Sequence, residues 1–290
     1  MNCPQSSVFR SILKSIFALV AMCSSVAPEA FAGTSPWVEG PKTKARLISG
    51  HTDGADPARR MVFVDITLEP GWKTYWRTPG DAGGLPPSFD WSKSQNLASA
   101  NVMFPAPERF TDKSGNTIGY HDGVVLPVAL VPANADKPIS LVVGLHYGIC
   151  KDVCIPVEAE IDLEVPVNDV EPLPAEATAA LDGVPRAQNG LRPEDPALVS
   201  ASAVLEGAAP KIRIEARFPG DAANADAFLE APDGLFLPLP ERAGEVGADG
   251  LVTFEAGLAA DVDLAALKGK PVTVTLVGEK GSSFATFIAK

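Results

Sequence analysis

The sequence lacks any excess of positive charge, and this excludes one large class of partners. The 290 residues include 24 Lys and Arg against 36 Asp and Glu, a formal net charge of −12. Proteins that bind nucleic acid need a basic face to contact its phosphates. We therefore expect no nucleic-acid partner.

Long apolar runs are also missing. The run Ile16–Met22 is far shorter than the roughly 20 residues that a membrane-spanning helix needs. It follows Arg10 and Lys14 and precedes Ala30-Phe31-Ala32, which is the order of a secretory signal peptide. We expect residues 1–32 to be removed by cleavage after Ala32, and the mature chain to be exported without inserting into a membrane.

Reactive residues are few and unevenly placed. The sequence contains no G-x-S-x-G, no H-E-x-x-H and no phosphate-binding loop, and it has only three histidines. Residues 198–290 contain no Cys, His, Trp or Tyr. Without residues 1–32, Cys150 and Cys154 are the only cysteines, so side-chain chemistry is expected in the first half of the chain.

Several short segments alternate apolar and polar residues, the period of a half-buried strand. Examples are 62–68, 157–165, 211–218 and 272–276. Short strands separated by Gly and Pro predict an all-β protein built of sandwiches.

The distribution of proline predicts where the domains meet. Residues 168–197 contain five prolines and are expected to be a linker with one short helix near 175–181. This divides the mature chain into a first β domain, 33–167, and a smaller β-sandwich-like domain, 198–290. We expect the second domain to be a docking or spacer module.

The two cysteines flank Lys151-Asp152-Val153 between two strand-like runs. A hairpin would bring their Cα atoms within the distance range of a disulfide. The role of such a bond is a separate question, and three interpretations are open. A structural staple of this length would stabilise by only about 2 kcal/mol, against nearly 5 for a loop of about 100 residues. That alternative would make the protein a non-catalytic binding module.

Two other interpretations of the cysteines are chemical. A close pair at an accessible turn suits thiol–disulfide exchange, in which one sulfur attacks a partner and its neighbour resolves the intermediate. Alternatively, His146, Cys150 and Cys154 recur at intervals of four and carry ligands that suit copper or zinc. Gly148 and Pro156 argue against the helix that this metal site would need.

Three stretches resemble the amino-terminal periplasmic domain of the thiol:disulfide interchange protein DsbD family. They are Gly71–Asp81, Pro86–Trp91 and Tyr147–Pro156, within a similarity that covers roughly residues 40–165. The resemblance implies an immunoglobulin-like sandwich and a thiol–disulfide oxidoreductase of the protein-disulfide reductase type. Cys150 and Cys154 would accept electrons from a membrane-embedded reductase and pass them to oxidised periplasmic proteins, with no dissociable cofactor.

The resemblance also implies a cap over the cysteines. Glu108 and Phe110, followed by Tyr120, match the acidic and aromatic residues of that cap, and Tyr75 matches a tyrosine that lines the site. The cysteines lie closer together than in the family's better-known pattern. The membrane and thioredoxin-like domains are expected on a separate polypeptide.

Overall fold

The computed structural model describes residues 33–51, 59–113, 115–168, 172–247, 249–258 and 262–290. The predicted signal peptide, 1–32, lies outside the described residues. Among the described residues, no helix is long and apolar enough to cross a membrane.

The first part of the chain forms two facing sheets. Their strands are β1 (Val38–Gly40), β2 (Thr43–Ser49), β3 (Arg60–Leu68), β4 (Lys73–Tyr75), β5 (Ser88–Asp90), β6 (Leu97–Val102), β7 (Glu108–Asp112), β8 (Gly115–His121), β9 (Gly123–Pro132), β10 (Ile139–Cys150) and β11 (Cys154–Val165). One sheet has the order β1-β2-β3-β9-β6. The other has the order β11-β10-β4-β8-β7, with β5 paired to β10.

The second part is also β-rich, as predicted. Its elements are α1 (Ala175–Asp182), β12 (Arg186–Ala187), β13 (Ala197–Val204), β14 (Lys211–Arg217), β15 (Asp226–Glu230), β16 (Glu241–Arg242), β17 (Leu251–Gly257), α2 (Leu264–Leu267), β18 (Pro271–Val277) and β19 (Ser282–Ile288). The two sheets have the orders β12-β19-β18-β15 and β13-β14-β17-β16.

Alternation explains the core of the first sandwich. Val62, Val64 and Ile66 on β3 point to the facing sheet and are at most 1% exposed, as are Leu141 and Val143 on β10. The all-β prediction is confirmed, and the first sandwich is immunoglobulin-like as expected.

The segment expected to be a linker is packed against the first sandwich. Ala177 on α1 lies in a small apolar cluster with Ile48 and Phe63, on the outer face of the β1-β2-β3-β9-β6 sheet. Farther along, β12 pairs in parallel with β19, so the pairing of the second unit begins at Arg186. Proline content predicts an irregular backbone, but it carries no information about these long-range contacts.

The core of the first sandwich continues into the second unit. Phe228 on β15 and Leu239 belong to the same apolar cluster as the residues of β3 and β10. The ring of Phe228 lies 5.8 Å from that of Trp76, and both side chains are fully buried. The two units therefore share buried apolar surface.

Replacing Phe228 with Ala should lower the free energy of unfolding by about 3–5 kcal/mol, because a buried ring leaves a cavity. Urea unfolding followed by tryptophan fluorescence measures this, since Trp76 contacts the ring. Phe236→Ala is the matched control: that side chain is 44% exposed and should change stability by less than about 1 kcal/mol. Equal effects would contradict a shared core.

Candidate functional site

The two cysteines lie at the turn of the β10–β11 hairpin. The antiparallel register runs from Ile139 opposite Val165 to Cys150 opposite Cys154, with residues 151–153 forming the turn. The two sulfur atoms are joined in a disulfide, and the Cα atoms are 4.2 Å apart. The predicted hairpin with a cysteine on each side of its turn is confirmed.

The two ends of the disulfide differ in exposure. Cys150 is 6% exposed, whereas Cys154 is exposed to solvent. Cys154 is therefore the more accessible of the two residues to a thiolate from another molecule. In an attack on Cys154 the S–S bond breaks and its electron pair leaves on the sulfur of Cys150.

Strand pairing places a row of basic side chains beside the disulfide. Cys150 is opposite Lys73 on β4, and Lys73 is opposite His121 on β8. Residues directly opposite each other in antiparallel strands point to the same face. The disulfide, the Lys73 ammonium group and the His121 ring thus share the outer face of this sheet.

Tyr75 is the side chain that touches both sulfurs. It lies two residues beyond Lys73 on the same face, and it is only 3% exposed. Its hydroxyl donates a hydrogen bond to the sulfur of Cys150 at 3.1 Å and lies 3.3 Å from the sulfur of Cys154. A hydroxyl in this position stabilises negative charge on the sulfur of Cys150, the leaving group in an attack on Cys154.

Two glycines make room for the Tyr75 ring. A Cβ atom on Gly148 would lie 3.0 Å from the ring, and one on Gly84 would overlap it. Gly84 also has a φ of +154°, a backbone conformation that residues with a side chain rarely adopt. The ring is therefore held between the sheet and the loop that contains Gly84.

That loop, residues 82–85, covers Tyr75. The amide of Gly148 donates a hydrogen bond to the carbonyl oxygen of Leu85 at 2.8 Å, which ties the loop to β10. A groove of about 250 Å³ lies between this loop and residues 154–156, and Cys154 forms part of its wall. The groove opens beside Cys154, the exposed residue of the pair.

Of the residues matched to a cap, Glu108 and Phe110 lie on the outer face of the sheet. Glu108 and Phe110 are on β7, on the same face as the disulfide, where Glu108 is opposite Gly119. The Phe110 ring lies 4.4 Å from the ring of His121 and 5.5 Å from the Lys73 ammonium nitrogen. Phe110 thus packs along the row of side chains that leads to Cys150, while residues 82–85 lie over Tyr75.

Tyr120 is placed on the inner side of the sheet. It is one residue from His121 on β8, so the alternation of a strand turns it into the core, where it is 7% exposed. Its hydroxyl donates a hydrogen bond to the carbonyl oxygen of Pro105 at 2.8 Å. Burial raises the pKa of Tyr120 well above its ordinary value, so this hydroxyl stays protonated. The structure does not bring it to the sulfurs.

His146 shares a face with the cysteines but is separated from them along β10. Four residues of strand span about 13 Å. Its ring nitrogen lies 3.6 Å from the carboxylate of Glu158, the residue opposite it. Within the described parts of the chain, no group of three or more His, Cys, Asp or Glu residues is arranged to hold a metal ion.

The contribution of residues 82–85 was not predicted from the sequence. The available signal was the pair Gly83-Gly84 within ten residues of a site tyrosine, because adjacent glycines permit a close approach of backbone to a ring.

Comparison with known proteins identifies the domain that carries this site. Residues 46–166 match the family model for the N-terminal domain of the thiol:disulfide interchange protein DsbD. This confirms the resemblance seen in the sequence. The matched residues include both cysteines, Tyr75 and the loop 82–85, so the disulfide lies in the segment that is similar to the DsbD N-terminal domain and fits a thiol–disulfide interchange module.

A solved structure extends the likeness beyond that domain. The crystal structure of the N-terminal periplasmic domain of ScsB from Proteus mirabilis matches with a TM-score of 0.65 at 21% identity, over 89% of this chain and 99% of that chain. At this identity the match shows a shared fold that includes both β units. A search of curated proteins gave no significant match.

Replacing Tyr75 with Phe should slow reduction of the disulfide by dithiothreitol about tenfold, the effect of losing roughly 1.4 kcal/mol of hydrogen bonding to the leaving sulfur. The rate constant is measured by quenched alkylation of the released thiols. Tyr147→Phe is the control, because its hydroxyl contacts Thr43 at 2.8 Å in the core. An unchanged or faster rate for Tyr75→Phe alone would contradict this role.

Proposed function

We propose that the protein is a periplasmic thiol–disulfide interchange protein that relays electrons through Cys150 and Cys154. The observation that carries this proposal is the disulfide itself. It joins a buried cysteine to an exposed one, and a tyrosine hydroxyl contacts both sulfurs. The match of residues 46–166 to the DsbD N-terminal domain supports the same chemistry.

The relay begins with reduction of the disulfide by a donor dithiol. A donor thiolate attacks the sulfur of Cys154, the Cys150–Cys154 bond breaks, and Cys150 leaves as a thiolate beside the Tyr75 hydroxyl. The donor's second thiolate then attacks the mixed disulfide at the donor sulfur. This releases Cys154 and leaves the donor oxidised, so two electrons have entered the protein.

Transfer onward follows the same path in reverse. The thiolate of Cys154 attacks an acceptor disulfide and displaces one acceptor sulfur as a thiolate. Cys150 then attacks the mixed disulfide at Cys154, which re-forms the intramolecular bond and releases the reduced acceptor. We propose a membrane-embedded reductase as donor and oxidised periplasmic proteins as acceptors. No dissociable cofactor takes part in these steps.

The reduction potential distinguishes a relay from a structural staple. We expect the Cys150–Cys154 pair to equilibrate in graded thiol/disulfide buffers at about −180 to −270 mV, the range of known exchange proteins. A value below about −300 mV would mark a bond that resists reduction and would support a binding module instead. Alkylation followed by mass measurement gives the reduced fraction at each buffer ratio.

Single cysteine variants test which sulfur meets the partner. In Cys150→Ser the remaining thiol is exposed, so it should react with an aromatic disulfide reagent at least about tenfold faster than the buried thiol of Cys154→Ser. Cys150→Ser should also accumulate mixed disulfides with acceptors, because the resolving thiol is absent. Circular dichroism checks that both variants are folded. Faster reaction of Cys154→Ser would reverse the assignment.

A further inference from the structure

Arg109 on β7 is held entirely by the second unit through its guanidinium group. It binds the carboxylate of Asp226 with two hydrogen bonds, of 2.6 and 3.0 Å. It also donates to the carboxylate of Glu241 at 2.9 Å and to the carbonyl oxygen of Pro240 at 2.9 Å. The Arg109 side chain is 14% exposed and that of Asp226 23%, so this pair is largely shielded from bulk water, whereas Glu241 is 74% exposed.

The strand that carries Arg109 presents its other face to the redox site. Side chains alternate along a strand, so Glu108 and Phe110 point opposite to Arg109. Phe110 packs against His121 and Lys73, and Lys73 is directly opposite Cys150. One short edge strand therefore joins the second unit to the row of side chains beside the disulfide.

A second contact joins the segment after Tyr75 to the same strand of the second unit, β15. Arg77 makes two hydrogen bonds, of 2.7 and 2.6 Å, to the carboxylate of Glu230, and the Thr78 hydroxyl bonds the same carboxylate at 3.2 Å. Arg77 lies two residues after Tyr75, and the covering loop begins at residue 82. The second unit thus fixes the segment that connects Tyr75 to the loop 82–85.

The pair of Arg109 and Asp226 fixes geometry more than it stabilises the fold. Burial raises the pKa of Asp226, even though the neighbouring Arg109 acts to lower it. A raised pKa means that holding this carboxylate ionised in the folded protein opposes folding at neutral pH. A buried pair of this kind is weak evidence for stability, whereas its forked hydrogen bonds define one orientation.

We propose that the second unit is a brace for the redox site, with Arg109 and Arg77 as its positioning residues. Arg109 fixes β7 and, through it, the position of Phe110 against His121 and Lys73. Arg77 fixes the chain between Tyr75 and the loop 82–85. The brace keeps Cys150 enclosed and limits attack to Cys154. Its biological meaning rests on the proposed exchange function, but its test does not need a natural partner.

The test measures the rate at which dithiothreitol reduces the disulfide in the mature chain, residues 33–290, under native conditions. We expect Arg109→Gln to increase this rate about fivefold, the lower end of typical coupling between two sites. Arg77→Gln should increase it through the other contact and provides a second test if Arg109→Gln does not fold. Arg109→Lys, which keeps the charge, should restore part of the protection.

Lys211→Gln is the matched control, because Lys211 pairs with Glu255 within the second unit at 2.9 Å. Urea unfolding of each variant separates protection of the disulfide from a loss of stability. Rates within twofold of the unmodified chain for both Arg109→Gln and Arg77→Gln would overturn the brace. The rate with dithiothreitol is measurable even for a staple, so failure of the brace is distinguishable from failure of the relay, which the reduction potential decides.

Discussion

The register of the β10–β11 hairpin is the constraint on which the rest of the site depends. Val157, Ile161 and Val165 point into the core, and burying them sets which residues of β10 lie opposite. This pairing puts Cys150 and Cys154 opposite each other on the outer face. A shift of one residue would send the two sulfurs to opposite faces and would bring charged side chains into the core. Burial of the apolar residues on the inner face therefore sets the register that places the two cysteines opposite each other on the outer face.

Small residues on the outer face give the site its shape. Gly148 on one neighbouring strand and Gly119 on the other have no side chains, so they leave space on the outer face next to Tyr75. The Tyr75 ring occupies this space beside the sulfurs, under residues 82–85. The same arrangement leaves Cys154 exposed and Cys150 buried, so the two cysteines of the disulfide differ in their access to solvent.

The second unit is part of this architecture. Phe228 and Leu239 complete the core of the first sandwich, and Arg109 and Arg77 of that sandwich bind carboxylates of the second unit. An expectation of a spacer followed from the absence of Cys, His, Trp and Tyr in residues 198–290. That composition excludes cysteine chemistry there, but it does not exclude a role in positioning the chemistry of another domain.

The sequence alone determined the all-β class, the hairpin and the cysteine pair, because strand alternation and turn residues act over a few neighbours. It also identified Tyr75 through the resemblance of its surrounding motif. Only the tertiary structure decided that Tyr120 faces the core, that residues 82–85 cover Tyr75 and that Arg109 binds Asp226. These facts depend on which strands pair and in which register, and that choice is made by contacts between residues far apart in the sequence, 117 positions for Arg109 and Asp226. Local patterns carry no record of such contacts.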